Sequence, residues 1–234
     1  MEKKGVVSGI SAFGIAGILV LALLITAVMP VSVSRASDAQ DIVDRARVTL
    51  NAFMRNQDYV WLHEHLKDAK GLLIYPQVIK AGFIFGGSGG TGVLVVRSGN
   101  AGDWSQPAFY TIGSATFGLQ IGGEVAEVIV MAMSQKAIDS LLASSFKFGG
   151  DTSVALGPVG TGAKGNVTAD FISFAKSKGI YAGINFEGAV VDVRDSLNKE
   201  YYGKEVRPVD IIIKKEVRNK GSEKLRASLR KMAK

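Results

Sequence analysis

The chain contains no cysteine, which excludes disulfides, thiolate metal sites and cysteine nucleophiles. Only two histidines occur in 234 residues, His63 and His65. They stand two apart, on divergent sides of a helix, where a chelating pair stands three or four apart. With no histidine beyond His65, a later serine cannot complete a Ser–Asp–His order. Proline is scarce, with five residues. Charge is missing from one long stretch, Gly5 to Met29, and acidic residues are too few to balance the basic ones after Gly203.

The uncharged stretch comes after Glu2, Lys3 and Lys4 and is closed by Pro30; Ser34-Arg35-Ala36 then offers small residues at the −3 and −1 positions of a signal-peptidase site. A signal-peptide apolar region runs about 7–15 residues and a spanning helix about 20. Residues 1–36 are therefore predicted to be a cleaved signal peptide or a retained N-terminal membrane anchor. Either one exports the rest of the chain, to the periplasm or cell envelope in association with a membrane.

From Ser37 the pattern is helical. Ser37 and Gln40 have the spacing of a capping box, with Asp38 and Asp41 near the positive end of the helix. Val43, Ala46, Leu50, Phe53 and Met54 recur at helical spacing, and Asp58 is placed to cap a second helix carrying Trp61, Leu62 and Leu66. Residues 37–69 form this helical part, and 70–213 a β-rich part holding most of the glycine: 22 of 28 glycines fall between Gly71 and Gly188. Short β-branched and aromatic runs separated by close turns predict an α+β fold. In it a mainly antiparallel sheet curls into a barrel- or sandwich-like core, with the N-terminal helices and one further helix, Ser134–Leu142, packed against it.

The segment Lys70–Gly92, KGLLIYPQVIKAGFIFGGSGGTG, is the most distinctive. Gly71 and Pro76 punctuate two strand-like runs, and the glycines beyond them permit a turn or a close approach. Gly86-Gly87-Ser88-Gly89-Gly90 fits the nucleophile-elbow pattern but lacks the later histidine. Two G-x-G-x-x-G matches, at Gly87–Gly92 and Gly160–Gly165, run on into strand-like sequence rather than the helix a dinucleotide requires. No cofactor, metal site or catalytic set emerges from these patterns.

Charge is distributed more informatively. Through Gly203 the chain has 17 basic and 17 acidic residues; after it, 11 basic and 4 acidic, which is the whole net charge of +7. Residues 214–234 read as a basic tail. Within it Ser222–Lys231 has helical spacing, with Leu225, Leu229 and Met232 along one side and Lys224, Arg226, Arg230 and Lys231 around it. Such segments are either disordered and solubilising or bind anionic membranes. Nucleic acid is not expected, because the chain lacks a basic aromatic platform and is exported.

Taken together, Ala69–Gly92, Trp104–Tyr110, Phe117–Glu124, Gly157–Gly160, Ser177–Gly183, Glu187-Gly188 and Tyr201-Tyr202-Gly203 resemble the SYLF domain family, over about Ser37 to Gly203. The resemblance implies a non-enzymatic lipid-binding domain, since eukaryotic members bind phosphoinositides and some bind actin. Many members carry basic residues in the glycine-rich segment where this chain has Ser88 and Thr91. The expected ligand of an exported member is anionic phospholipid, with Lys67, Lys70, Lys80, Lys224, Arg226, Arg230 and Lys231 as candidate contacts. The alternative is an envelope structural or protein-interaction module that associates with itself or with an envelope protein.

Overall fold

The computed structural model describes residues 37–234 except 83–84, 100–101, 118–121, 151, 161–166, 178–179, 182–185 and 187. The predicted signal peptide or anchor lies outside the described residues. Among the described residues, no helix is long and apolar enough to cross a membrane.

Helix α1 (Asp38–Arg55) begins as its sequence predicts. The Ser37 hydroxyl accepts the Gln40 N–H at 3.2 Å, and Asp38 and Asp41 occupy the first turn. Ala39, Val43, Ala46, Leu50 and Phe53 form its buried stripe. The second helix itself has no side-chain cap, and the cap lies at the 3₁₀ turn before it. Asn56, not Asp58, supplies the side-chain acceptor, taking the Asp58 N–H at 3.0 Å. A 3₁₀ turn (Gln57–Tyr59), α2 (Val60–His65) and a further 3₁₀ turn (Leu66–Asp68) come next.

The strands are β1 (Gly71–Gly82), β2 (Phe85–Ser98), β3 (Asp103–Trp104), β4 (Ala108–Phe117), β5 (Gly122–Ala132), β6 (Ser145–Lys147), β7 (Val154–Leu156), β8 (Phe171–Ser177), β9 (Ile180–Tyr181) and β10 (Val190–Val193). Helices α3 (Gln135–Leu142), α4 (Asp195–Tyr202) and α5 (Glu223–Met232) complete the fold. The sheet runs β6-β10-β4-β2-β1-β5-β8-β7, with β3 beside β2 and β9 beside β8, and curls into a half-barrel. Its pairings are antiparallel except β7 with β8.

The distinctive glycine segment is strand rather than turn. β1 runs through Pro76 on a bulge, where the register shifts between Ile74 and Gln77 against β2 and between Tyr75 and Val78 against β5. Proline has no N–H for a ladder, so an interruption at this position is expected. Gly90 and Gly92 of β2 lie beside this irregularity, and no glycine of β2 has positive φ. A Cβ on Gly90 would run into the Gln77 carbonyl, and one on Gly92 into that of Ile74. Close approach, not turning, is what these two glycines provide.

The sheet separates two apolar clusters. One face places Leu73, Tyr75, Leu94, Tyr110, Val128 and Phe171 under α3, with Phe148, Phe186, Ile211 and Ile212 closing it. The other places Leu72, Ile74, Val93, Val95, Phe109 and Ile129 under α1 and α2, together with Leu225 and Leu229 of α5. Burying each large aliphatic side chain contributes about 1.5–3 kcal/mol, so α5 is bound to the domain by its leucines.

The Tyr201-Tyr202-Gly203 block also has a structural reading. Gly203 ends α4 with φ of 73°, a left-handed cap. The Tyr202 hydroxyl donates to the Pro107 carbonyl at 2.6 Å, and Asn198 accepts the Phe109 N–H at 3.0 Å.

Candidate functional site

The basic C-terminal segment is ordered through a series of short elements. After α4 it forms a π-helical turn (Val209–Ile213), in which Ile211 and Ile212 are buried. Lys215 comes next with φ of 57°, the one described non-glycine residue with positive φ. A 3₁₀ turn (Lys220–Ser222) then leads into α5. Gln106 fixes this entry, its Oε1 accepting from the Asn219 N–H at 3.1 Å and the Ser222 hydroxyl at 2.9 Å.

Helical spacing gives α5 two basic flanks beside its buried stripe. Arg226 and Arg230 lie on one side of Leu225 and Leu229, and Lys224 and Lys231, seven apart, on the other. The arginine flank closes onto β3. Arg226 donates through Nε to the Trp104 carbonyl at 2.7 Å and through Nη2 to both oxygens of Asp103 at 3.1 and 3.0 Å. Arg230 reaches Asp103 at 3.1 Å and also pairs with Glu223. Burial of Asp103 pushes its pKa up, but the Trp104 N–H and the two guanidinium groups outweigh this and hold the carboxyl below its ordinary value. Glu223 is likewise held low, mainly by its hydrogen bond from Arg230.

Two of the expected lipid contacts, Arg226 and Arg230, take part in these ion pairs. The Arg226 side chain is only 10% exposed and Arg230 is 35% exposed; both are committed to Asp103 and Glu223 and hold the helix in place. Lys224 and Lys231 are exposed, and neither takes part in a side-chain hydrogen bond or ion pair. Lys215, Arg218 and Lys220, in the approach to α5, are exposed and unpaired in the same way.

Lys67 and Lys70 are exposed at the end of the sheet nearer α5. The Lys70 carbonyl accepts the Arg97 N–H, and Arg97 is the ladder partner of Trp104, whose carbonyl receives Arg226. Lys80 is ten residues along β1 from Lys70, about 30 Å at strand rise, and pairs across the ladder with Glu124 and Ser88. The structure thus brings Lys67 and Lys70 to the α5 end and leaves Lys80 at the other.

Two anchoring residues have no sequence signal of their own. Asp103 meets arginines more than 120 positions away, and Arg97 stacks 4.8 Å over Trp104 while donating to the Leu66 and Ala69 carbonyls. The rejected catalytic patterns are occupied by structure. Ser88 lies within β2, its hydroxyl 2.7 Å from that of Ser114. His63 bonds the Phe53 carbonyl, and His65 bonds the Trp61 carbonyl and stacks on its ring. Among the described residues, no group of acidic or histidine side chains could hold a metal ion.

The family model Ysc84, described as "Las17-binding protein actin regulator", matches residues 113–232. The match runs through α5, beyond the Gly203 limit that the motifs suggest. Human SH3 domain-containing YSC84-like protein 1 is 34% identical over 149 residues, covering 62% of this chain and 43% of that protein. Protein YSC84 of Saccharomyces cerevisiae is 37% identical over 146 residues, covering 59% of this chain and 31% of that protein. The SH3 domain-containing protein PJ696.02 of Schizosaccharomyces pombe is 36% identical over 144 residues, covering 58% and 33%. The chain therefore spans less than half the length of these relatives.

Proposed function

The chain belongs to the Ysc84 (SYLF domain) family, and from that premise we propose that it is a non-enzymatic module that binds anionic phospholipid surfaces. The observation carrying this reading is the division of charge on α5 and its approach. Arg226 and Arg230 are neutralised against Asp103 and Glu223. Lys215, Arg218, Lys220, Lys224 and Lys231 stay open on α5 and the approach to it, flanked by the buried Ile211, Ile212, Leu225 and Leu229. A fixed array of open cations attracts an anionic leaflet with about 1 kcal/mol per basic residue near the surface. Lys67 and Lys70 extend the array along the adjoining end of the sheet. The apolar run at 5–29 supports placing the module outside the cytoplasm, in the envelope, as a secreted or anchored protein.

Cosedimentation of the full chain with phosphatidylglycerol-containing and pure phosphatidylcholine vesicles tests the reading. The expected result is excess binding to the anionic vesicles that salt suppresses and that Lys224→Gln with Lys231→Gln reduces. Equal binding to both vesicle types would remove the proposal.

A protein-interaction role is the second reading, and the family description supports it. That description refers to Las17 binding and actin regulation. For this chain the corresponding partner is an envelope protein or a second copy.

A further inference from the structure

We infer that the cleft between β3 and the segment leading into α5 is a specific site for a phosphate-bearing group, within the lipid-binding reading and resting on it. The cleft is a cavity of about 280 Å³, of a size for a head group rather than a whole lipid. Its wall is rich in donors. Gln106 is nine-tenths buried, and its Oε1 is already taken by the Asn219 N–H and the Ser222 hydroxyl. That fixes the amide, and its N–H groups are left without a partner beside the cavity that Gln106 lines. Ser98 adds a hydroxyl with no partner, and Lys215 and Arg218 add two unpaired cations.

Only one acidic side chain lines this cavity, Asp103, and Arg226 and Arg230 already occupy it. Arg226 and Arg230 together balance Asp103 and Glu223, so Lys215 and Arg218 give the cleft a net positive charge. Ile211 and Val217 form an apolar part of the wall, against which a glycerol moiety can lie. Lys215 stands at the rim in a left-handed conformation that an L side chain rarely adopts. Arg218 suits the group chemically, because a guanidinium binds two oxygens of one phosphate at once.

The test uses the full chain carried in phosphatidylcholine vesicles, titrated calorimetrically with glycerol 3-phosphate and, separately, with inorganic phosphate. Arg218→Gln and Lys215→Gly are compared with Lys147→Gln, which removes the same charge at an exposed site outside the cleft, and in the vesicle arm also with Lys231→Gln. Lys215→Gly suits the native backbone better than lysine, so this variant melts no lower than the parent. Glycerol 3-phosphate is expected to bind the parent, with roughly tenfold weaker binding in Arg218→Gln and Lys215→Gly and no change in Lys147→Gln.

A parallel arm measures the same variants on phosphatidylglycerol vesicles. A larger loss for Arg218→Gln than for Lys231→Gln identifies the ligand as a lipid head group. An unchanged vesicle affinity, with calorimetric binding intact, identifies a free phosphate compound. Absence of calorimetric binding, with equal vesicle losses for Arg218→Gln and Lys231→Gln, overturns the site and leaves diffuse attraction standing. Absence of any preference for anionic vesicles overturns the membrane reading itself.

Discussion

The two flanks of α5 carry the same formal charge and meet opposite fates. On one side Arg226 and Arg230 turn inward onto Asp103, Glu223 and the Trp104 carbonyl. On the other, Lys224 and Lys231 stand in solvent with no partner. The difference comes from side-chain chemistry as well as position. A guanidinium offers several donors in a planar fork and satisfies a carboxylate and a carbonyl together; an ammonium on a flexible stem is easily left hydrated. A net charge of +7 therefore overstates what a membrane can meet, since part of it holds the fold together.

The comparison can be broken most forcefully at its apolar hinge. Leu229→Ala removes a fully buried side chain from under the sheet and is expected to cost about 3 kcal/mol of stability by chemical denaturation. An unchanged midpoint would mean that α5 does not dock through this stripe. Next in size is Arg226→Ala, expected to destabilise by about 2 kcal/mol because the Trp104 carbonyl loses its arginine donor and Asp103 one of its two. Arg226→Lys is expected to recover little of it, since an ammonium cannot repeat the three contacts.

Acid acts on the same flank. The carboxyls of Asp103 and Glu223 have pKa values below their ordinary ones in the folded protein. A depressed folded value means that the contribution to stability is complete above the unfolded carboxylate range, about pH 4, and disappears as pH falls through the lower folded values. Melting temperature measured across acid pH is expected to fall less steeply below about pH 4 in Asp103→Asn than in the parent. Parallel curves would contradict the assignment. The smallest stability effect belongs to the open flank, where Lys224→Gln and Lys231→Gln each change stability by less than about 0.5 kcal/mol.

Much of the fold is legible in local pattern. The Ser37 cap, the α3 helix with Ser134 accepting the Ala137 N–H, and the antiparallel sheet all rest on short-range rules. The glycine segment reads as a turn or a close approach in sequence, because glycine's tolerance of positive φ and its permission of close approach look alike there. Only the bulge at Pro76, visible once β1 and β2 are paired, separates them. The fate of the basic segment is also hidden. Leu225 and Leu229 announce a helix face, but nothing local to α5 indicates that Asp103 lies in wait more than 120 residues upstream. Pairings of that range are set by topology, so open and committed cations look the same along the chain.

On the proposed reading the open flank, not the charge total, contacts the membrane. Cosedimentation of the full chain with phosphatidylglycerol vesicles tests it most directly, comparing Lys224→Gln with Lys231→Gln against an exposed control pair, Lys136→Gln with Lys147→Gln, of equal charge change. The α5 pair is expected to weaken binding by roughly tenfold or more, at about 1 kcal/mol for each lysine, while the control pair has little effect. Equal losses in the two pairs, or none in either, would contradict it.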